Sequence, residues 1–169
     1  MPWDRIRVRG PNARKGLIAG FVAMLVLTGL MYLGPAVGVS IRNIPSYIAA
    51  AISFNAPLAD NPPYYLWGGA LYFIFTVVMF PLCYTYWVYS YMPGPDWFRG
   101  TVFGAFLWFL VEALVMPLIG SGIFDVSGPD TAKEIISQLV LWLAYGAVLG
   151  FIAGPQEVWK QDHHLEQPV

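Results

Sequence analysis

Apolar residues in this chain fall into long unbroken runs, separated by short stretches rich in proline, glycine and asparagine. Four of the runs approach the length of about 20 residues that a ~30 Å hydrocarbon layer requires of a helix. The first covers 16–34, carries no charge, and ends at Pro35 and Gly38. The second covers 64–91 and contains Pro81, which predicts a kink. The third covers 99–120 and the fourth 132–154, the latter with Asp130 or Thr131 as its cap and Glu134 in its first turn. The pattern predicts an all-α protein with four transmembrane helices in one membrane domain. A basic arm, 1–15, precedes the spans and a polar tail, 155–169, follows them.

The longest connection is 36–63. Within it Asn43-Ile44-Pro45 reads as a helix start, with asparagine as cap and proline in the first turn. The apolar run after it, 46–54, is too short to span. It predicts a short helix in the membrane interface between the first two spans, or one tucked back onto the bundle. Pro57, Pro62 and Pro63 then break the chain.

Composition agrees with this pattern and narrows the function. The chain is 57% hydrophobic and 11% charged, against about 25% charged in an ordinary soluble domain. Net charge is −1, which gives no electrostatic case for nucleic acid. The single cysteine, Cys83, rules out an internal disulfide or a thiolate zinc cluster. The apolar run after the basic arm is too long for a signal-peptide core, so it is expected to remain as an anchor. Seven basic residues (Arg5, Arg7, Arg9, Arg14, Lys15, Arg99 and Lys160) fall on the N-terminal side of the membrane, and two (Arg42 and Lys133) on the other. The positive-inside rule then puts both termini in the cytoplasm, which for a bacterial protein means the inner membrane.

One side chain stands out. Beyond the first turns of the spans, where Arg99, Lys133 and Glu134 fall, Glu112 is the sole charged residue inside an apolar run, roughly 18 Å along the third helix from Gly100 at 1.5 Å per residue, close to mid-bilayer. A carboxylate there costs at least ~2.5 kcal/mol unless it faces protein. With no Lys or Arg expected at that depth, the candidate partners are Gln138, Thr76, Thr28 and Tyr72. Glu112 and Gln138 therefore form the candidate intramembrane polar site. Its functional reading is proton or ion handling; its structural reading is a carboxyl hydrogen-bonded to a neighbouring helix.

Small residues predict where helices meet. Gly16-x-x-x-Gly20, Gly100-x-x-x-Gly104 and the ladder Gly146, Gly150, Gly154 all lie on the N-terminal side of the membrane. Missing side chains let backbones approach, so the first, third and fourth helices are expected to cross tightly there. The echo of Arg14-Lys15-Gly16-x-x-x-Gly20 in Phe98-Arg99-Gly100-x-x-x-Gly104 points to a parallel two-plus-two hairpin repeat. At the end of the second span, Tyr84, Tyr86, Trp87, Tyr89 and Tyr91 read as an aromatic belt at the membrane–water boundary. The two histidines, His163 and His164, both lie in the tail. No histidine in a span, no phosphate loop and no nucleophile–base set means that no catalytic or metal-ligating residue is expected.

Several motifs together resemble a known group. They are Gly16-Leu-Ile-Ala-Gly20 leading to Leu30-Met31, Arg99-Gly-x-x-x-Gly104-x-x-x-Trp108, Met116-Pro-Leu-Ile-Gly120-x-Gly122-Ile-Phe124, and Tyr145-Gly-Ala-Val-Leu-Gly150. They resemble an uncharacterised family of small bacterial four-helix membrane proteins whose members often sit beside respiratory or other electron-transfer components. The resemblance covers roughly 16–154 and implies a fold and a setting. Relatives tend to carry a histidine ahead of Tyr-Gly-Ala where this chain has Trp142, so no haem or metal role carries over. The expected function is an accessory, non-catalytic subunit of an energy-transducing complex, respiratory or photosynthetic, with other membrane subunits and lipids as partners. No cofactor is expected on its own ligands, although pigment or quinone contacts are open. The alternative is a small proton, ion or solute transporter using Glu112.

Overall fold

The structure is a computed structural model. It describes residues 12–53, 61–118, 120, 122–125 and 131–154. The arms 1–11 and 155–169, both tail histidines and the Asp130 cap lie outside the described residues.

Among the described residues every regular element is helical and no strand occurs. We number the helices α1 (Ala13–Leu33), α2 (Ile44–Ser53), α3 (Pro62–Val88), α4 (Asp96–Leu118) and α5 (Thr131–Ala153). The spans α1, α3, α4 and α5 are long and apolar enough to cross a membrane, and α2 is the short helix between the first two. Asn12 caps α1 by accepting from the Lys15 N–H, and Asn43 accepts from the Ser46 N–H at the start of α2. Pro62 and Pro63, expected to break the chain ahead of the second span, are part of it. They open it, because the first turn of a helix has no use for their missing N–H groups.

The four spans form an up-down-up-down bundle. Helix α5 packs along both α4 and α1, and α1 packs along α3. Helices α3 and α4 meet chiefly near the turn that joins them, through Tyr84 against Phe103 and the Tyr84 hydroxyl donating to the Asp96 carbonyl. Helix α2 lies on the start of α3, where a side chain on Gly68 would collide with the Pro45 carbonyl.

The glycine pairs sort by hairpin. Cβ atoms added to Gly100 and Gly104 would land on the backbone of α5 at Gly146 and Trp142, and those added to Gly146 and Gly150 would strike the backbone of α4. Those two helices therefore touch backbone to backbone. Gly16 and Gly20, expected to meet the third and fourth helices, instead face α3, at Thr85 and Pro81. The reason is that Pro81 presents a bulky ring with no side-chain flexibility, and only a glycine admits it. In each hairpin the leading Gly-x-x-x-Gly thus faces the span that follows, the relationship a two-plus-two repeat requires. Gly154 does not belong to the ladder. It ends α5 in a left-handed conformation, φ 60°.

Pro81, expected to kink the second span, follows a change of helical register. A π-helical stretch, Ile74–Met79, ends just before it, with the Phe80 N–H reaching back five residues to the Phe75 carbonyl. In that register the next donor belongs to Pro81, which has none, so the Thr76 carbonyl is left open. The Tyr145 hydroxyl of α5 donates to it at 2.7 Å. Helix α4 repeats the device. The π stretch Val111–Val115 precedes Pro117, and the Met116 N–H donates to the Val111 carbonyl.

The aromatic cluster divides in two. Tyr86, Trp87 and Tyr91 are exposed, as a boundary belt requires, but Tyr84 and Tyr89 are buried. A second π stretch, Tyr84–Val88, turns Tyr84 inward onto Phe103, while the Tyr89 hydroxyl donates to Asp96 at 2.7 Å and its ring lies under Arg99.

Candidate functional site

Glu112 sits in the π stretch of α4, 1% exposed. Helix α4 begins at Asp96 and ends at Leu118, so Glu112 lies six residues, about 9 Å, from the end.

Its partner is a cation that the spacing of the spans conceals. Arg42, in the connection ahead of α2, is 4% exposed and drives its side chain into the bundle. Its Nη1 donates to both Glu112 carboxylate oxygens, at 3.0 and 3.2 Å. Its Nε donates to Glu134 Oε2 at 3.0 Å. The expectation that no basic residue reaches Glu112 is therefore wrong. It placed every charge of the connection outside the membrane, whereas a long arginine on a tucked-in backbone carries its charge several ångströms inward.

The backbone that positions Arg42 is clamped from below. Gly38 reverses the chain in a left-handed conformation, φ 80°. The Ser40 hydroxyl donates to Glu134 Oε1 at 3.0 Å, and the Ser137 hydroxyl donates to the Ser40 carbonyl at 2.6 Å. Gln138 Nε2 donates to the Arg42 carbonyl at 3.0 Å, and the Ile44 N–H reaches the Met31 sulfur at 3.4 Å. Helix α5 thus holds the connection with Glu134, Ser137 and Gln138, which fall on one face of it by their spacing of three and four. Of the expected partners of Glu112, Gln138 joins the site through the backbone of Arg42. Thr28 and Tyr72 bond each other at 2.9 Å, and Thr76 donates to the Tyr72 carbonyl. Sequence reasoning missed Arg42, Glu134, Ser40 and Ser137. The available signal was the Glu134–Gln138 spacing, which aims two polar groups at one neighbour near the start of a span.

Beside this cluster lies a cavity of ≈ 190 Å³ between α3 and α4, floored by α5 and covered by α2. Phe75 and Thr76 reach it from the π stretch of α3, and Val111, Glu112 and Val115 from that of α4. Arg42, Tyr72, Gln138 and Trp142 complete its polar end and floor. A π turn widens the helix and offsets the side chains after it, and such turns concentrate at functional sites. Here two of them face one cavity. Among the described residues no group of His, Cys, Asp or Glu is arranged to hold a metal.

A family of unknown function, DUF6789, matches residues 11–161. The chain belongs to that family. The match takes in all four spans and every residue of the Arg42–Glu112–Glu134 cluster. No curated protein and no solved structure matches the chain. For this DUF6789 protein the site itself must therefore carry the functional argument.

Proposed function

We propose that this chain is a non-catalytic accessory subunit of a larger membrane complex, which it stabilises or helps to assemble by packing against other membrane subunits and lipids. The observation that supports this reading best is the Arg42–Glu112 pair. The carboxylate within the third span is committed to holding the connection, α4 and α5 together. A group that carries protons must pass between charged and neutral forms, and a neutral Glu112 leaves the buried Arg42 charge to Glu134 alone. The transporter alternative needs a carboxylate free of that duty.

The setting we propose is the inner membrane of a bacterium, in respiratory or photosynthetic electron transfer. Its support is the family resemblance in the motifs above. Any pigment or quinone contact belongs in that scheme to neighbouring subunits. The positive-inside count supports cytoplasmic termini, and on that reading Arg42 and the cavity belong to the opposite half of the membrane.

Native mass spectrometry of the protein taken from its own membranes in mild detergent tests the reading. The expected result is a fixed stoichiometry with larger subunits. Recovery as a lone monomer or homo-oligomer overturns it. Liposome flux with Glu112→Gln tests the alternative, which is removed by unchanged flux or by none in either form.

A further inference from the structure

The cavity between α3 and α4 has no assigned occupant, and its walls define one. We propose that it is a binding site for the acyl chain of a membrane lipid, entering sideways between α3 and α4. This inference stands apart from the subunit role.

Three observations carry it. The cavity lies where two neighbouring spans part and is not closed on all sides, and Phe75, which lines it, is 37% exposed. Its volume of ≈ 190 Å³ exceeds the roughly 150 Å³ of an apolar cavity that stays dry and admits a benzene-sized hydrocarbon. That is room for a length of chain and not for a head group. Several hydrogen-bonding side chains at its polar end are already engaged within the protein. Tyr72 bonds Thr28, Thr76 donates to the Tyr72 carbonyl, Gln138 donates to the Arg42 carbonyl, and Arg42 holds two carboxylates. Hydrocarbon needs no further donor from this lining. The paired π stretches supply the architecture. Each widens its helix just ahead of a proline, and together they turn Phe75 and Val115 toward the same space.

The test uses the full chain in phosphatidylcholine vesicles whose acyl chains carry a photoreactive diazirine near mid-chain. Labelled residues are mapped by mass spectrometry. Trp142 lines the cavity and is 3% exposed, so lipid on the outer surface cannot reach it. Phe106 and Phe151 are exposed on the outer surface and serve as references. The expected result is label on Trp142 as well as on the references, with Trp142 labelling falling at least fivefold in Val115→Phe, which fills the cavity. Labelling of Phe106 and Phe151 should not change in that variant. Label confined to the references in the wild-type protein overturns the proposal, and that outcome needs no variant to fold. Label on Trp142 that Val115→Phe leaves intact, with the references also intact, overturns it too.

Discussion

Arg42 and Glu112 lie 70 residues apart in the chain, yet one guanidinium nitrogen donates to both oxygens of the carboxylate, at 3.0 and 3.2 Å. The contact joins an irregular connection to the far third of a membrane helix. Glu134 receives the same guanidinium from the other side, so three segments converge on one side chain.

Breaking that contact from either side strands a buried charge. Arg42→Met and Glu112→Leu are each expected to lose about 3–5 kcal/mol of stability, the usual consequence of removing one member of a buried pair. The double variant should lose less than the sum, because Glu134 is partly exposed and tolerates the loss of Arg42. Unfolding titrations in mixed micelles measure all three. Additive losses would show that the two side chains are not coupled.

The connection should loosen separately from the bundle. Gln138→Leu removes the donor that the Arg42 carbonyl uses and is expected to cost about 1–3 kcal/mol. Hydrogen exchange should accelerate across residues 39–43 while the interior of α5 keeps its protection. Uniform acceleration along α5 would mean that Gln138 supports the helix and not the connection.

Glycines of similar appearance should behave very differently. In Gly104→Ala the new methyl meets the Trp142 carbonyl and forces α4 from α5, at a cost of at least the ~1–3 kcal/mol of ordinary overpacking. Gly20→Ala should also be costly, since its methyl meets the Pro81 ring. Gly29→Ala and Gly69→Ala meet nothing and should stay within about 1 kcal/mol of the parent. Thermal unfolding in detergent ranks the four. Comparable midpoints for Gly104→Ala and Gly29→Ala would contradict the backbone contact between α4 and α5.

The proline device in α3 depends on one hydroxyl. Tyr145→Phe leaves the Thr76 carbonyl without its donor and should cost about 1–3 kcal/mol. Trp87→Phe, on the exposed side of the aromatic cluster, should change stability by no more than about 0.5 kcal/mol. Equal effects in the two variants would argue against the bond to Thr76.

Some of this was decided by the amino-acid sequence alone. The four spans, the short helix between the first two and the Asn43 cap all follow from local properties. Hydropathy sums over neighbours in the chain, and a cap needs only the next three residues. Gly100, Gly104, Gly146 and Gly150 were likewise legible as contact points, since an absent side chain is visible in the sequence. Their partners were not, and Gly20 went to Pro81 instead of the third or fourth helix because ring shape, and not spacing, selects the facing surface. The inward turn of Tyr84 came from a change in helical register that no period predicts.

The site was decided by tertiary structure. Reading the chain as spans and loops assigns each charge a depth from its own neighbours, and on that basis Arg42 stays in water. Its true depth depends on the path of residues 38–43, and that path depends on Ser137, Gln138 and Glu134, more than 90 residues further on. A buried charge is stable only where its partners already stand. Such a partnership between distant segments is a property of the assembled bundle, to which no single stretch of sequence gives access.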